Sequence, residues 1–141
     1  MSGLLKISEA AVLGLHAMLF ISQHGDRKVS THEIAAAHGV SENHLAKVMQ
    51  RLVKAGLASS VRGPGGGFEL RREPKDITLL ELYELFDGPV FLKNCLFELP
   101  VCGNTYCVFG DLLGDVNRLV MDYLSNTTLG NIVDRNETKT A

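Results

Sequence analysis

Apolar residues run almost unbroken from position 7 to 23, rich in alanine, leucine and methionine, and stop at Gly25-Asp26. A run of that length made of good helix formers predicts a first helix buried over most of its surface. Ser30-Thr31-His32-Glu33 then has the spacing of a capping box, with the serine hydroxyl accepting from the N3 amide and the glutamate reaching back. A short second helix follows through Ile34 and Ala35 to His38. Gly39 permits a sharp turn, Ser41 can cap a third helix, and Leu45, Val48, Met49, Leu52 and Val53 fall on one stripe of it. Glu42, Asn43, Lys47, Gln50, Arg51 and Lys54 occupy the opposite side, and Gly56 ends the helix.

Two β-prone segments, 57–62 and 68–71, flank Arg62-Gly63-Pro64-Gly65-Gly66-Gly67 and predict a glycine-rich hairpin. Thr78-Leu79-Leu80-Glu81 repeats the capping-box pattern and opens a fourth helix, which Gly88-Pro89 stops. Residues 90–107 show no period. From about Tyr106 to Leu124 the set Phe109, Leu112, Leu113, Val116, Leu119, Val120 and Tyr123 recurs at heptad-like spacing, the seam of a long helix that wants a partner. After Arg135 the chain is polar and reads as a tail.

The order of elements predicts a mainly α fold with a small β-wing, a winged helix-turn-helix joined to a long dimerisation helix. Residues 1–76 form the DNA-binding domain in this reading, and 77–105 a connecting helix with a cysteine-containing loop. Residues 106–133 supply the dimerisation helix and a short C-terminal helix, and 134–141 a flexible tail. A short helix followed by a longer one with a free polar face suits the major groove, because helix N-terminal amides face phosphates. Ser41, Asn43, His44, Lys47, Gln50 and Arg51 are therefore candidate DNA contacts, and Arg62, Gly63 and Gly65 join them from the wing. A solvated helix face and a loose turn account for the same residues without DNA. A nucleotide-binding glycine loop is disfavoured, since no Gly-Lys-Ser/Thr follows and there is no strand-loop-helix context.

Charge sharpens this division. Residues 1–75 hold ten Lys/Arg against six Asp/Glu, a net of +4, whereas residues 76–141 hold four against ten, a net of −6. A basic first half suits phosphate, and an acidic second half is kept from it. At 141 residues and 45% apolar composition the chain can bury one core and spare one helix. Its apolar runs are too short for a membrane span and its start lacks a cleavage pattern, so a cytoplasmic protein with no membrane partner is expected. No nucleophile, base and oxyanion set points to an enzyme.

All three cysteines lie in one stretch, Cys95-x6-Cys102-x4-Cys107, an odd number that argues against a disulfide framework. Three thiols on one loop can converge on a soft metal, though not with the paired spacing of a zinc ribbon. Iron-sulfur, zinc and plain reduced thiols all stay open on the spacing alone.

The stretch Leu57-Ala58-Ser59-Ser60-Val61-Arg62-Gly63-Pro64-Gly65-Gly66-Gly67-Phe68 resembles the iron-sulfur regulators of the IscR, NsrR and RirA family. So do the opening Leu5-Lys6-Ile7-Ser8, the three-cysteine loop and Asn126-Thr127-Thr128-Leu129-Gly130. The resemblance reaches to about Val133. It implies a homodimer on a double-stranded DNA operator, with repression as the expected mode. Cys95, Cys102 and Cys107 would hold a 2Fe-2S or 4Fe-4S cluster that senses iron-sulfur status, nitric oxide, iron or redox state. Relatives of the IscR branch place a histidine three residues after the last cysteine, where this chain has Gly110. Relatives similar to NsrR use a carboxylate from near the N-terminus of the opposite subunit, which points to Glu9 as fourth ligand and His16 behind it. Glu9 equally suits the first turn of a helix. Ala46 stands where some relatives carry an acidic residue in the recognition helix, which implies a different operator. A cluster-free regulator controlled by thiol redox or by partners, and a zinc-stabilised interaction module, are the alternatives.

Overall fold

The computed structural model describes residues 6–90, 93, 95–97, 99, 101–103 and 106–140. Leu5, part of the family-like opening, and several positions of the 90–107 stretch lie outside the described residues. Among the described residues six α-helices, a short 3-10 turn at Pro74–Asp76 and one two-stranded sheet occur, with the α-helices and strands in the order α1 (Glu9–Gln23), α2 (Thr31–His38), α3 (Glu42–Lys54), β1 (Ala58–Val61), β2 (Gly67–Leu70), α4 (Leu79–Asp87), α5 (Leu112–Asn126) and α6 (Leu129–Thr140). The winged helix-turn-helix is thus formed, mainly α with a small β-wing, as the pattern predicts.

Side-chain caps set the helix starts. Ser8, Ser30, Ser41 and Thr78 each accept a hydrogen bond from an amide three residues on, satisfying a donor that the helix cannot. At α2 the box is reciprocal, with the Ser30 amide donating to Glu33 at 2.8 Å. That amide, and then the Arg27 guanidinium, hold the Glu33 carboxyl below the usual carboxylate range. Because the folded value is the lower one, this capping is in full effect above the ordinary range and is lost as pH falls through the lowered value. At α4 only half of the expected box forms. The Glu81 carboxylate turns instead to Arg72 Nη1, 2.5 Å away.

α1 is the centre of the core. Its Leu13, Ala17, Met18 and Ile21 pack in one cluster with Ile34 of α2, with Leu45, Met49 and Leu52 of α3, and with Ile77, Leu82 of α4 and Leu129 of α6. Burying each large apolar side chain contributes about 2 kcal/mol. The core therefore runs through position 76 and joins the reading head to the C-terminal helices. The α3 stripe is buried as its spacing predicts, with Val53 half-covered at its edge.

Two backbone exchanges lock the periphery. Val29 and Phe68 pair across the loop before α2, at 3.0 and 2.7 Å, tying the wing to the helical body. Leu79 N donates to Thr127 O and Leu129 N to Ile77 O, so the Asn126-Thr127-Thr128-Leu129-Gly130 motif is the seam that docks α6 beside α4.

Two expectations are corrected. The long helix begins at Leu112, not near Tyr106, because Gly110 adopts a left-handed conformation (φ 54°) in a turn where its amide bonds to Cys107 O. The chain after position 133 is helical to Thr140 where polarity suggests a tail, since α6 is capped by the Thr128 and Asn131 side chains and continues from a docked first turn.

Gly67 sits at φ 145° with the Val29 carbonyl 2.6 Å from where a Cβ would stand. The obstacle is backbone, so it cannot step aside. Gly67→Ala is expected to destabilise the fold by about 3 kcal/mol, read as a lower urea midpoint; an unchanged midpoint would show that the wing is not anchored at Val29.

Candidate nucleic-acid interface and cysteine segment

α3 starts at the Ser41 cap, whose hydroxyl accepts from His44 N at 3.1 Å. Asn43, Lys47 and Gln50 follow on its exposed face. His44 is partly covered, and its Nδ1 lies 3.9 Å from the Glu9 carboxylate, which links the start of α3 to the start of α1. A second link joins the two helices of the motif, as His32 Nδ1 stands 2.7 Å from Glu42 Oε1.

The wing lies beside this face. β1 and β2 pair from Ala58↔Leu70 to Val61↔Gly67, and the five residues between them turn with positive φ at Gly63 and Gly65. Ala46, Gln50, Val53 and Lys54 of α3 form an open groove with Ser60, Arg62 and Phe68 of the wing. The predicted residues Gln50 and Arg62 are therefore brought together. Lys54 and Ser60 complete the groove and were not among the expected DNA contacts. Lys54 could have been found, because it lies one helical turn beyond Gln50 on the same face. Ser60 becomes legible only through the strand pairing.

Arg51 departs from the expected set. Its guanidinium leaves the α3 face and donates from Nη2 to Leu85 O at 2.6 Å, with Cζ 4.7 Å over the Phe86 ring. The sequence could not show this, since the partner lies 34 residues away.

The cysteines lie between α4 and α5. Cys95 is half-buried, Cys102 and Cys107 are exposed, and no disulfide joins them. Asn117 of α5 donates to Lys93 O at 2.9 Å, holding the segment to the side of that helix. Among the described residues no three His, Cys, Asp or Glu side chains converge closely enough to hold a metal ion. Glu9, the candidate fourth ligand, is exposed, with His44 as its nearby charge. Gly110 has no side chain to offer. His16 bonds through Nδ1 to Val12 O at 2.7 Å on the outside of α1. α5 presents Leu112, Val116, Leu119 and Tyr123 as an exposed apolar row. Among the described residues no helix is long and apolar enough to cross a membrane.

A family model for Rrf2, described as an iron-dependent transcriptional regulator, matches residues 7–135. The chain belongs to the Rrf2 family of transcriptional regulators. The HTH-type transcriptional regulator named BadM, of Rhodopseudomonas palustris, is 43% identical over 83 residues, covering 59% of this chain and 53% of that protein. The solved structure of IscR from T. potens superposes with a TM-score of 0.75 at 30% identity, over 97% of this chain and 92% of that one. That of CymR, the global cysteine regulator of B. subtilis, gives 0.78 at 28% identity, over 94% and 98%. DNA binding and regulation of transcription are thus properties of the Rrf2 family to which this chain belongs, and a winged helix is the fold that carries them here.

Proposed function

We propose that the chain is a homodimeric regulator that binds a duplex operator through α3 and the wing. In this reading Cys95, Cys102 and Cys107 hold an iron-sulfur cluster, and iron-sulfur status, nitric oxide, iron or redox state acts through it on DNA binding. The observation that carries the reading is the placement of the three thiols. They share one irregular segment outside the core, joining a helix tied to α3 with a helix that exposes an apolar row. Three thiolates are the soft donors that iron-sulfur centres use, so the donor set fits in kind. Such a centre supplies reversible one-electron chemistry and lability to oxidants. The fourth position falls to an exposed group from outside the segment, and Glu9 of a partner subunit suits it. The α5 row, unpaired within one protomer, supplies the dimer contact.

The thiol-redox reading has its own support in the exposure of Cys102 and Cys107 and in the likeness to CymR. It needs no metal, only a change of the cysteines' oxidation state.

Anaerobic purification followed by ultraviolet-visible spectroscopy, with iron and acid-labile sulfide assays, separates the readings. A brown protein with charge-transfer absorption and matching iron and sulfide is expected. A colourless, iron-free protein that cannot be reconstituted moves the sensor to the thiols, and a colourless protein rich in zinc makes it a zinc-stabilised module. Glu9→Ala is expected to release the cluster faster in air. Unchanged persistence removes Glu9 as a ligand. On the DNA side, Lys47→Ala and Arg62→Ala should each lower the slope of log affinity against log salt by about 1. The probe is a duplex enriched from a randomised pool, and an unchanged slope removes that residue from the phosphate contacts.

A further inference from the structure

The last turn of α4 is held from two sides. From α3, Arg51 donates to the Leu85 carbonyl and lies over the Phe86 ring. From α1, Ser8 N donates to Asp87 Oδ2 at 2.9 Å, and Gly14 lets Phe86 approach so closely that a Cβ there would stand 2.2 Å from Cε2. The Leu85 carbonyl is one of the four at a helix end that no amide of the helix can reach, and a cation is favoured beside it. Directly beyond this turn come Gly88, Pro89 and the cysteine segment. For Arg51 to reach a base edge it would have to leave both partners and strip that carbonyl of its donor.

We propose that Arg51 is a positioning residue for DNA recognition, not a base contact: it fixes the tilt of α3 against the end of α4. Operator specificity then depends on a contact to Phe86, a half-buried ring that has nothing to offer DNA. The same contact carries changes in the cysteine segment to the recognition helix. That second step rests on the control by cysteines proposed above; the positioning role does not.

The test is a double-mutant cycle on the full-length protein, with a duplex enriched from a randomised pool by the wild type and an unrelated duplex as control. Arg51→Ala and Phe86→Leu should each weaken specific binding about tenfold, while control binding and salt slope stay as in wild type. The double variant should lose no more than either single one, because both remove one contact. Phe86→Tyr keeps the ring and should bind like wild type, and thermal melts verify that each variant is folded. If Arg51 reads DNA directly, Phe86→Leu binds like wild type, the losses add, and Arg51→Ala lowers the salt slope by about 1; that pattern overturns the proposal.

Transmission is tested by comparing anaerobically purified protein with the same protein after iron chelation. Wild type should differ in operator affinity between the two, and Arg51→Ala should shrink the difference severalfold. A difference that survives Arg51→Ala overturns transmission through this residue. No difference in wild type overturns control through an iron-sulfur centre, and the cycle still decides the positioning role.

Discussion

Burial of α1 is the constraint on which the rest of the structure depends. Ala11, Ala17 and Met18 have no exposed surface, and the helix touches α3, β2, α4 and α6. Small residues at Ala11, Gly14 and Ala17 let those neighbours come close, and the larger Leu13, Met18 and Ile21 fill the layers between them. A winged helix-turn-helix could close on its own first three helices, but here Ile77, Leu82 and Leu129 belong to the same cluster as Leu45 and Leu52. Reading head and C-terminal helices are one body, and close-packed interiors pass strain on rather than absorb it.

That unity gives the charge division a spatial meaning. The basic excess lies in residues 1–75, where Arg27 is paired with Glu33, Lys28 lies near Glu69 and Arg72 reaches Glu81 of the acidic half. Lys47, Lys54 and Arg62 have no such partner among the ion pairs of the described residues, and they border the groove between α3 and wing or lie on the same helix face. A few uncommitted cations give a weak, salt-sensitive attraction to a duplex.

What the sequence made legible was local. Ser30, Ser41 and Thr78 act on amides three residues away, and the α3 stripe repeats within a single helix, so pattern alone predicts them. The wing is legible for the same reason, since glycines at 63, 65 and 67 encode its backbone directly. The misses are long-range competitions. Glu81 fits a capping box but finds Arg72 instead, and Arg51 fits the polar face but finds Leu85 and Phe86. The late start of α5 turns on one left-handed glycine within an otherwise periodic run, and the helical course of 134–140 on a first turn docked against Ile77. In the cysteine segment there was no period to read, and its ligands, on the reading favoured here, come partly from another subunit.

The contact between α3 and α4 is also of the right size for a regulator. A charged hydrogen bond contributes about 1.5–3 kcal/mol and an exposed cation–π contact about 0.5–1 kcal/mol, and Arg51 is exposed, so its sum lies toward the low end. Coupling between sites in allosteric proteins is typically about 1–3 kcal/mol. A much stronger tie would fix α3 in one attitude whatever the cysteine segment did, and a weaker one would let the helix drift independently of it. The apolar core sets where α3 sits, and a single arginine at its last turn, reaching the carbonyl end of the helix that leads to the thiols, is free to adjust how it is held.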